Sequence, residues 1–269
     1  MKTVVVTGST RGIGRGLAEN FLARDCRVVI SGRSQPSVDA VVAELGDRHG
    51  ADKVAGLACE ISDGKQLQAL WDTAAQRFAR VDVWINNAGT SNVQRPFAEL
   101  EPASLRQVVE SNLIGTLNGC RAALAGMKAQ GHGHLFTMEG YGSDGSVQPG
   151  MSVYGATKSA IRYLTRALVE ETRGGPVKVG RLSPGVVVTD LLLDVYRDGD
   201  PANWRRQRWL FKFIADPVEE VAPWLADRVL AGPRHGEFVA WMTVLKAALR
   251  FFQPYYHRRD LFADQQLPG

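Results

Sequence analysis

Tyr154 and Lys158 stand four residues apart in Ser152-Val153-Tyr154-Gly155-Ala156-Thr157-Lys158, within a stretch whose pattern predicts a helix. Residues at i and i+4 share one face of a helix, so the phenol and the ammonium are neighbours. A free tyrosine titrates near pH 10 and is a poor acid or base at neutrality. An adjacent ammonium favours the phenolate and lowers that value, which brings the phenol closer to useful proton transfer. A second set of residues suits an anion. Thr7-Gly8-Ser9-Thr10-Arg11-Gly12-Ile13-Gly14 follows the apolar run Thr3-Val4-Val5-Val6 and precedes a helical pattern. Glycines at this spacing let the backbone turn tightly and approach a pyrophosphate. A helix starting there aims free N–H groups and its positive dipole end at the phosphate. About 20 residues on, a carboxylate closing the second strand would hold a ribose 2′-hydroxyl and select NAD. This chain instead reads Ile30-Ser31-Gly32-Arg33-Ser34, with no carboxylate before Asp39. The Arg33 guanidinium, a hydroxyl of Ser31 or Ser34, and Arg11 from the first loop are suited to a 2′-phosphate, so the expected cofactor is NADP(H).

These residues need a scaffold that brings loops together. Short β-branched runs at 3–7, 27–31, 53–58, 81–86, 133–138, 177–182 and 236–240 predict seven strands, and helical patterns at 13–24, 37–49, 64–79, 102–130 and 151–173 alternate with them. Several strand candidates are almost continuously apolar, as parallel strands covered on both faces are. Strict alternation predicts an α/β fold: one doubly wound parallel sheet with helices on both faces, in a single domain over 1–269. Such sheets bind ligands at the carboxyl ends of their strands, where the Gly-rich loop falls. Residues 189–235 break the rhythm, with mixed charge and no clear strand, and are expected to form an insertion over the site, a lid with short helices. Residues 241–269 are expected to form a C-terminal helix and tail.

Composition excludes other classes. With 45% apolar and 22% charged residues, the chain is neither disordered nor collagen-like. The net charge of +4 comes without a block of five or six basic residues, so no nucleic-acid partner is expected. Cys26, Cys59 and Cys120 lie far apart, without CxxC or Cys/His zinc spacing, and are expected to be buried free thiols; no metal is expected. No stretch approaches 18 uncharged apolar residues, which excludes a membrane-spanning helix. The run at Thr3–Val6 is too short for a signal-peptide core, and the expected compartment is the cytoplasm.

Four motifs occur in order: the Gly-rich loop, Asn86-Asn87-Ala88-Gly89 after the fourth strand, Tyr154-xxx-Lys158, and Pro184-Gly185 after the sixth strand. Together they resemble the short-chain dehydrogenase/reductase family from residue 3 to about 190, and more loosely to 240. The resemblance implies a Rossmann-type fold and hydride transfer between a nicotinamide and a carbonyl carbon, with Tyr154 giving a proton to the carbonyl oxygen. It implies that Lys158 also holds the nicotinamide ribose, and that Asn112 holds a water in a relay to the lysine. It places Asn87, Ala88, Gly89, Pro184, Gly185, Val187 and Thr189 on the cofactor, and Glu60 and Ile61 near the adenine, where the family usually has Asp. Asn86 looks structural, bracing the sheet. A homodimer or homotetramer through helices 102–130 and 151–173 is also implied.

The chain departs from that family at one point. The serine usually found 13 residues before the tyrosine is absent, and Tyr141 holds its position. Counted from the strand at 133–138, the usual Ser pair falls on Glu139-Gly140. The site still needs a donor for the substrate oxygen as it gains charge. Ser143 is the candidate, with Tyr141 and a protonated Glu139 as rivals. This loop, with Trp84–Gly89, Tyr154–Lys158 and Ser183–Leu192, is similar to the chlorophyll b reductases, which reduce a ring formyl group with NADPH. The expectation is an NADPH-dependent reductase of a bulky apolar carbonyl compound. The alternatives are a non-catalytic NADP(H)-binding sensor or scaffold, and a reductase working at a membrane surface. The distal third bears on that choice. Segments 201–214 and 241–259 each carry four cations and no acid, together with Trp204, Trp209 and Trp241. Trp241, Leu245, Ala248 and Phe252 fall near one helix face. Core packing under a solvated basic face, a wall for a large apolar substrate, and a membrane-surface helix are three readings of this region.

Overall fold

The computed structural model describes residues 1–197 and 201–263. Residues 198–200 of the expected lid and 264–269 of the expected tail lie outside the described residues. The first strand shows how the layers arise. In β1 (Thr3–Val6), Val4 and Val6 point into one apolar cluster and Val5 into another, and all three are fully buried. A strand covered on both faces has no polar side to show, which is why its sequence is unbroken valine.

The chain continues through α1 (Gly12–Leu22), β2 (Arg27–Gly32), α2 (Gln35–His49), β3 (Val54–Ala58), α3 (Gly64–Phe78), β4 (Val83–Asn86), α4 (Pro102–Val109), α5 (Gly115–Gln130), β5 (Gly133–Met138), α6 (Ser152–Glu171) and β6 (Val177–Ser183). Then follow β7 (Val186–Val188), α7 (Asp190–Arg197), α8 (Pro201–Ile214), β8 (Ala215–Pro217), α9 (Val218–Leu230), β9 (Phe238–Ala240), α10 (Val244–Phe251) and α11 (Pro254–Arg258). Seven strands form one parallel sheet in the order β3-β2-β1-β4-β5-β6-β9. The order reverses at β1, so the loops after β1 and β4 open onto a crevice at the carboxyl edge. One face is covered by α1, α2 and α9 through Leu17, Phe21, Val38, Leu45, Val221 and Leu225. The other is covered by α3, α5 and α6 through Leu67, Trp71, Met127 and Leu168. The predicted doubly wound sheet is the observed one.

Two regions differ from expectation. The helix predicted over 102–130 is interrupted by a π-helical turn at Glu110–Ile114 between α4 and α5. The region expected as one strandless insertion divides in two. Its first part holds β8, which pairs in parallel with β7 as a separate two-stranded sheet. Its second part, α9, belongs to the main helical layer: a Cβ on Gly16 of α1 would come within 2.5 Å of Val218. The aromatic residues of α7 and α8 form a small core of their own, in which Tyr196, Trp204, Phe211 and Phe262 stack edge to face or tilted. Cys26, Cys59 and Cys120 are buried free thiols, and no metal-ligand cluster occurs among the described residues. Among them, too, no helix is long and apolar enough to cross a membrane.

Candidate active site

The Gly-rich turn is fixed by contacts that leave no room for side chains. Gly8 and Gly12 adopt positive φ of 64° and 56°. A Cβ on Gly8 would come within 2.9 Å of Ala88, and one on Gly14 would strike the Gly8 carbonyl oxygen. Asn87 fastens the turn: its Nδ2 donates to the carbonyls of Thr7 at 2.9 Å and Gly8 at 3.2 Å. Ser9 Oγ donates to Val6 O and accepts from Ser31 N, joining the turn to β2. Thr10 lies so close to Gly32 that a Cβ there would come within 2.7 Å of its methyl group. Arg11 caps α1 without a side-chain bond to the first turn, so the helix start, with Gly12 and Ile13, presents its N–H groups to the crevice. This cradle fits a dinucleotide pyrophosphate, because the glycines let the turn close tightly under a helix start whose first N–H groups no side chain caps.

Arg33, Glu60 and Ser62 line a groove of about 250 Å³ with Arg106 and Glu110 from the opposite wall. Arg106, which the sequence reading missed, puts a second guanidinium into that groove. The Glu60 carboxylate accepts from Ser62 N at 3.3 Å and Ser62 Oγ at 3.1 Å. Ser34 caps α2 without spending its hydroxyl on the helix. Ile61 is buried against Gly115. Arg11, expected beside Arg33, is exposed and lies with its Nη1 3.4 Å from Asp190 Oδ2, next to the point where Gly12 adjoins Thr189. Pro184 and Gly185 form the turn after β6, with Gly185 at φ 72°. Val187 is buried in β7, and Thr189 follows it with a long 3.4 Å bond to the Val187 carbonyl.

Asn86 is buried and braces the sheet: its Oδ1 accepts from Trp84 Nε1 at 2.9 Å. Asn112 is turned inward by the π-helical segment. Its Oδ1 accepts from Thr90 N at 2.8 Å, while its Nδ2 donates to Thr90 O at 2.9 Å and Thr157 Oγ1 at 3.1 Å. Gly89 lies between Asn112 and Lys158, since an added Cβ would meet Asn112 Oδ1 at 2.9 Å and Lys158 Nζ at 3.8 Å.

Tyr154 and Lys158 share one face of α6, with Nζ 5.6 Å from the phenol ring centre. Lys158 is buried, and its Nζ donates to Met138 O at 3.2 Å. Burial pushes the Lys158 ammonium down to about 8, against the opposing pull of Glu139. The expected lowering of the Tyr154 hydroxyl is corrected. Burial pushes it up to about 12, so the chain by itself holds the phenol protonated.

The loop after β5 settles the missing serine differently from expectation. Gly140 lies directly against the Tyr154 hydroxyl, and any side chain there would collide with it. Ser143, expected to be the substrate donor, is committed elsewhere: its Oγ donates to Gly140 O at 2.6 Å and accepts from Gly140 N at 3.0 Å. It therefore positions Gly140. Glu139 is buried, and its Oε1 accepts from Arg181 Nη1 at 2.9 Å. That contact turns Oε1 of the rival donor toward Arg181 on β6. Tyr141 is exposed at the mouth.

Residues 2–199 match the short chain dehydrogenase family. The chain belongs to that family. As a short-chain dehydrogenase it is an oxidoreductase acting on carbonyl or hydroxyl groups with a nicotinamide cofactor. It is 35% identical to chlorophyll(ide) b reductase NOL of Oryza sativa subsp. japonica, covering 93% of this chain and 74% of that protein. It is 33% identical to a probable chlorophyll(ide) b reductase NYC1 of Arabidopsis thaliana, covering 98% of this chain and 55% of that protein, so it spans about half the length of the latter. Levodione reductase has a similar structure, with a TM-score of 0.81 at 25% identity, over 92% of this chain and 98% of that one. The expected cytoplasmic location does not stand. The rice and Arabidopsis relatives are chloroplastic by name, and the opening Met1-Lys2-Thr3 says nothing about compartment.

Proposed function

We propose that this short-chain dehydrogenase is an NADPH-dependent reductase of the formyl or ketone group of a bulky apolar compound, with Tyr154 as proton donor. The observation that carries this reading is geometric: the Tyr154 hydroxyl lies directly against Gly140, which leaves no side chain over it, and the Lys158 ammonium stands 5.6 Å from its ring on the same helix face. The reductive direction requires a proton donor at the carbonyl oxygen, and a cation beside the phenol lowers the cost of giving that proton up. The bound nicotinamide would supply the hydride that goes to the carbonyl carbon. Tyr154 Oη–H would give its proton to the carbonyl oxygen, closing the balance to an alcohol. Lys158, adjoining the crevice at Gly89, would hold the ribose hydroxyls, and Asn112 fixes the Thr90 backbone next to it. Gly8, Gly12 and Gly14 would hold the pyrophosphate.

The preference for NADPH over NADH rests on Arg33, which follows directly on β2 where the NAD-selecting carboxylate would stand, and on Arg106 in the same groove; the carboxylates of that groove, Glu60 and Glu110, come from the loop after β3 and from the turn after α4. The relatives named as chlorophyll(ide) b reductases support a large formyl-bearing substrate. Exposed Ile114 and Leu117 at the start of α5 and Tyr163 on α6 support the expected homo-oligomer.

The test is loss of NADPH absorbance with a formyl-bearing chlorophyll and a panel of bulky aldehydes and ketones. Tyr154→Phe should reduce turnover by roughly 10²–10⁴ while NADPH still binds. Arg33→Ala should raise KM for NADPH about tenfold and leave NADH nearly unchanged. Binding of NADPH without turnover of any panel member would refute the reductase reading.

A further inference from the structure

Helix α10 is built inside out. Its residues at three-, four- and seven-residue spacings, Leu245, Ala248, Leu249 and the following Phe252, form a single stripe, and that stripe faces away from the protein. Leu245 is 69% exposed, Leu249 55% and Phe252 82%. The buried residue of α10 is a charged one: Arg250, 4% exposed, bonds inward to Asp216 Oδ2 at 2.8 Å and to Phe213 O at 3.2 Å. A helix on a core-facing surface shows the opposite arrangement. The apolar surface continues onto α8, where exposed Trp209 packs edge-on against Phe251 at 6.3 Å, and onto α11 through exposed Tyr255. A contiguous apolar patch of this kind marks a surface that something covers.

The charge around the patch indicates what covers it. Helices α8, α10 and α11 carry seven Lys and Arg between them and no Asp or Glu; Arg208 pairs with Asp260 and Arg250 with Asp216, and the face keeps an excess of positive charge. Arg206 lies one turn from Trp209, and Arg258 one turn from Tyr255, so cations rim the aromatic residues. Beside the stripe, Lys246 and Arg250 line a single groove with Leu245, Leu249 and Tyr256. Arg250 Nε has no hydrogen-bond partner among the described residues. Lys246 is itself folded back, its Nζ 3.1 Å from the centre of the Trp241 ring and donating to Trp241 O at 3.3 Å, which leaves Arg206 and Arg258 as the exposed cations of the rim. Two copies joined face to face through this patch would press those cations against their own images, since an isologous contact pairs each patch with itself. An anionic lipid surface answers both features at once, with apolar depth beneath a layer of phosphates.

We propose that the face formed by α8, α10 and α11 docks on an anionic phospholipid surface, with Leu245, Leu249 and Phe252 entering the boundary between headgroups and acyl chains and Arg206 and Arg258 meeting the lipid phosphates. Trp209 and Tyr255 lie at headgroup level, where amphipathic rings are favoured. The docked face adjoins the catalytic crevice. Trp241 and Met242, just ahead of α10, pack on Gly185, where an added Cβ would meet Met242 at 2.8 Å. The docking itself does not depend on the reductase reading, because its readout is vesicle binding and not turnover.

The experiment is co-sedimentation of the full chain with vesicles of phosphatidylcholine alone and of phosphatidylcholine mixed with phosphatidylglycerol. Thermal unfolding and sedimentation velocity are run alongside. The chain should pellet with the anionic vesicles, bind the neutral ones weakly, and be released by salt. Leu249→Ser/Phe252→Ser should lower the partition coefficient about tenfold or more with an unchanged melting curve, because both side chains are already exposed. Arg206→Gln/Arg258→Gln should remove the preference for anionic vesicles. Absence of binding to anionic vesicles would overturn the proposal. So would a dimer that Leu249→Ser/Phe252→Ser dissociates in a chain that ignores vesicles, which would make the face a contact between copies.

Discussion

Lys158 and Asp216 are both buried charges, and their surroundings are opposites. Lys158 has one backbone acceptor, Met138 O at 3.2 Å, and the nearest carboxylate, Glu139, is already engaged by Arg181. Asp216 is surrounded by donors: Trp241 Nε1 at 2.6 Å, Arg250 Nη1 at 2.8 Å and Arg259 Nη1 at 3.1 Å. Both guanidiniums also lie over the Tyr256 ring, at 4.7 and 4.5 Å from its centre. A buried charge costs free energy unless it is answered by opposite charge and hydrogen bonds. At Asp216 the answer is complete, and the result is a clamp joining β8 to α10 and the segment after α11. At Lys158 the answer is partial, and the result is an ammonium depressed to about 8 in the crevice. Under-compensated charge coincides with chemistry and fully compensated charge with architecture. Each half of that contrast can be broken separately.

The largest effect is expected at Asp216. Asp216→Ala strands two buried guanidiniums and should cost about 3–5 kcal/mol in urea unfolding. Asp216→Asn keeps an acceptor for Trp241 and one arginine and should cost less. The loss should fall first on the distal helices, where limited proteolysis would cut before the sheet opens. An Ala variant within about 0.5 kcal/mol of the parent, the range of an ordinary surface change, would mean that the network holds nothing together.

At Lys158 the expected sign is reversed. Its folded value of about 8 lies below the ordinary 10.5, so the unfolded chain binds more protons between those values and stability rises with pH across that window. Below pH 8 the fold carries the full penalty, about 3 kcal/mol at most for a shift of this size. Lys158→Met should therefore stabilise the protein at neutral pH by about 1–3 kcal/mol, flatten its stability between pH 8 and 10.5, and abolish turnover. A less stable Met variant at pH 7 would show that the ammonium is well compensated after all, and the contrast with Asp216 would collapse.

The two centres were unequally legible in the sequence. The strands of the main sheet announce themselves because both faces are buried and valine runs unbroken, and Tyr154 and Lys158 are fixed by helical spacing alone. The π-helical turn at Glu110–Ile114 was not legible. Its residues keep a helical pattern, and the turn goes with Asn112 bonding the Thr90 backbone, a tertiary event. Strands β7 and β8 are three residues each, too short for any periodicity. In α9 a signal was present and outweighed by charge: Val221, Leu225 and Val229 recur every fourth residue and are buried. The direction of the Ser143 hydroxyl could not be read, since it depends on where the Gly140 peptide lies. Neither could the upward shift of Tyr154, because spacing counts the neighbouring cation and not the burial. Arg181 gave no sign of its role, lying in a strand 42 residues from the Glu139 it meets.

The smallest effect, and the sharpest on the contrast, is expected at that pair. Glu139 pulls the Lys158 ammonium upward while burial pushes it down. Facing Lys158 are Tyr154 on its own helix, Glu139 from the loop after β5, and Arg181 on β6 behind that carboxylate. Glu139→Gln removes the pull while keeping an acceptor for Arg181, so the alkaline limb of the rate profile should move to lower pH, by up to about one unit. Arg181→Met leaves the carboxylate without its partner, freeing its field for Lys158, and should move the same limb to higher pH. Loosened packing alone would lower kcat in both variants and leave the limb in place. Opposite displacements would show that Glu139 and Arg181 act on Lys158 through charge, and that the chain tempers its catalytic lysine with a compensated pair set one residue away from the proton donor's floor at Gly140.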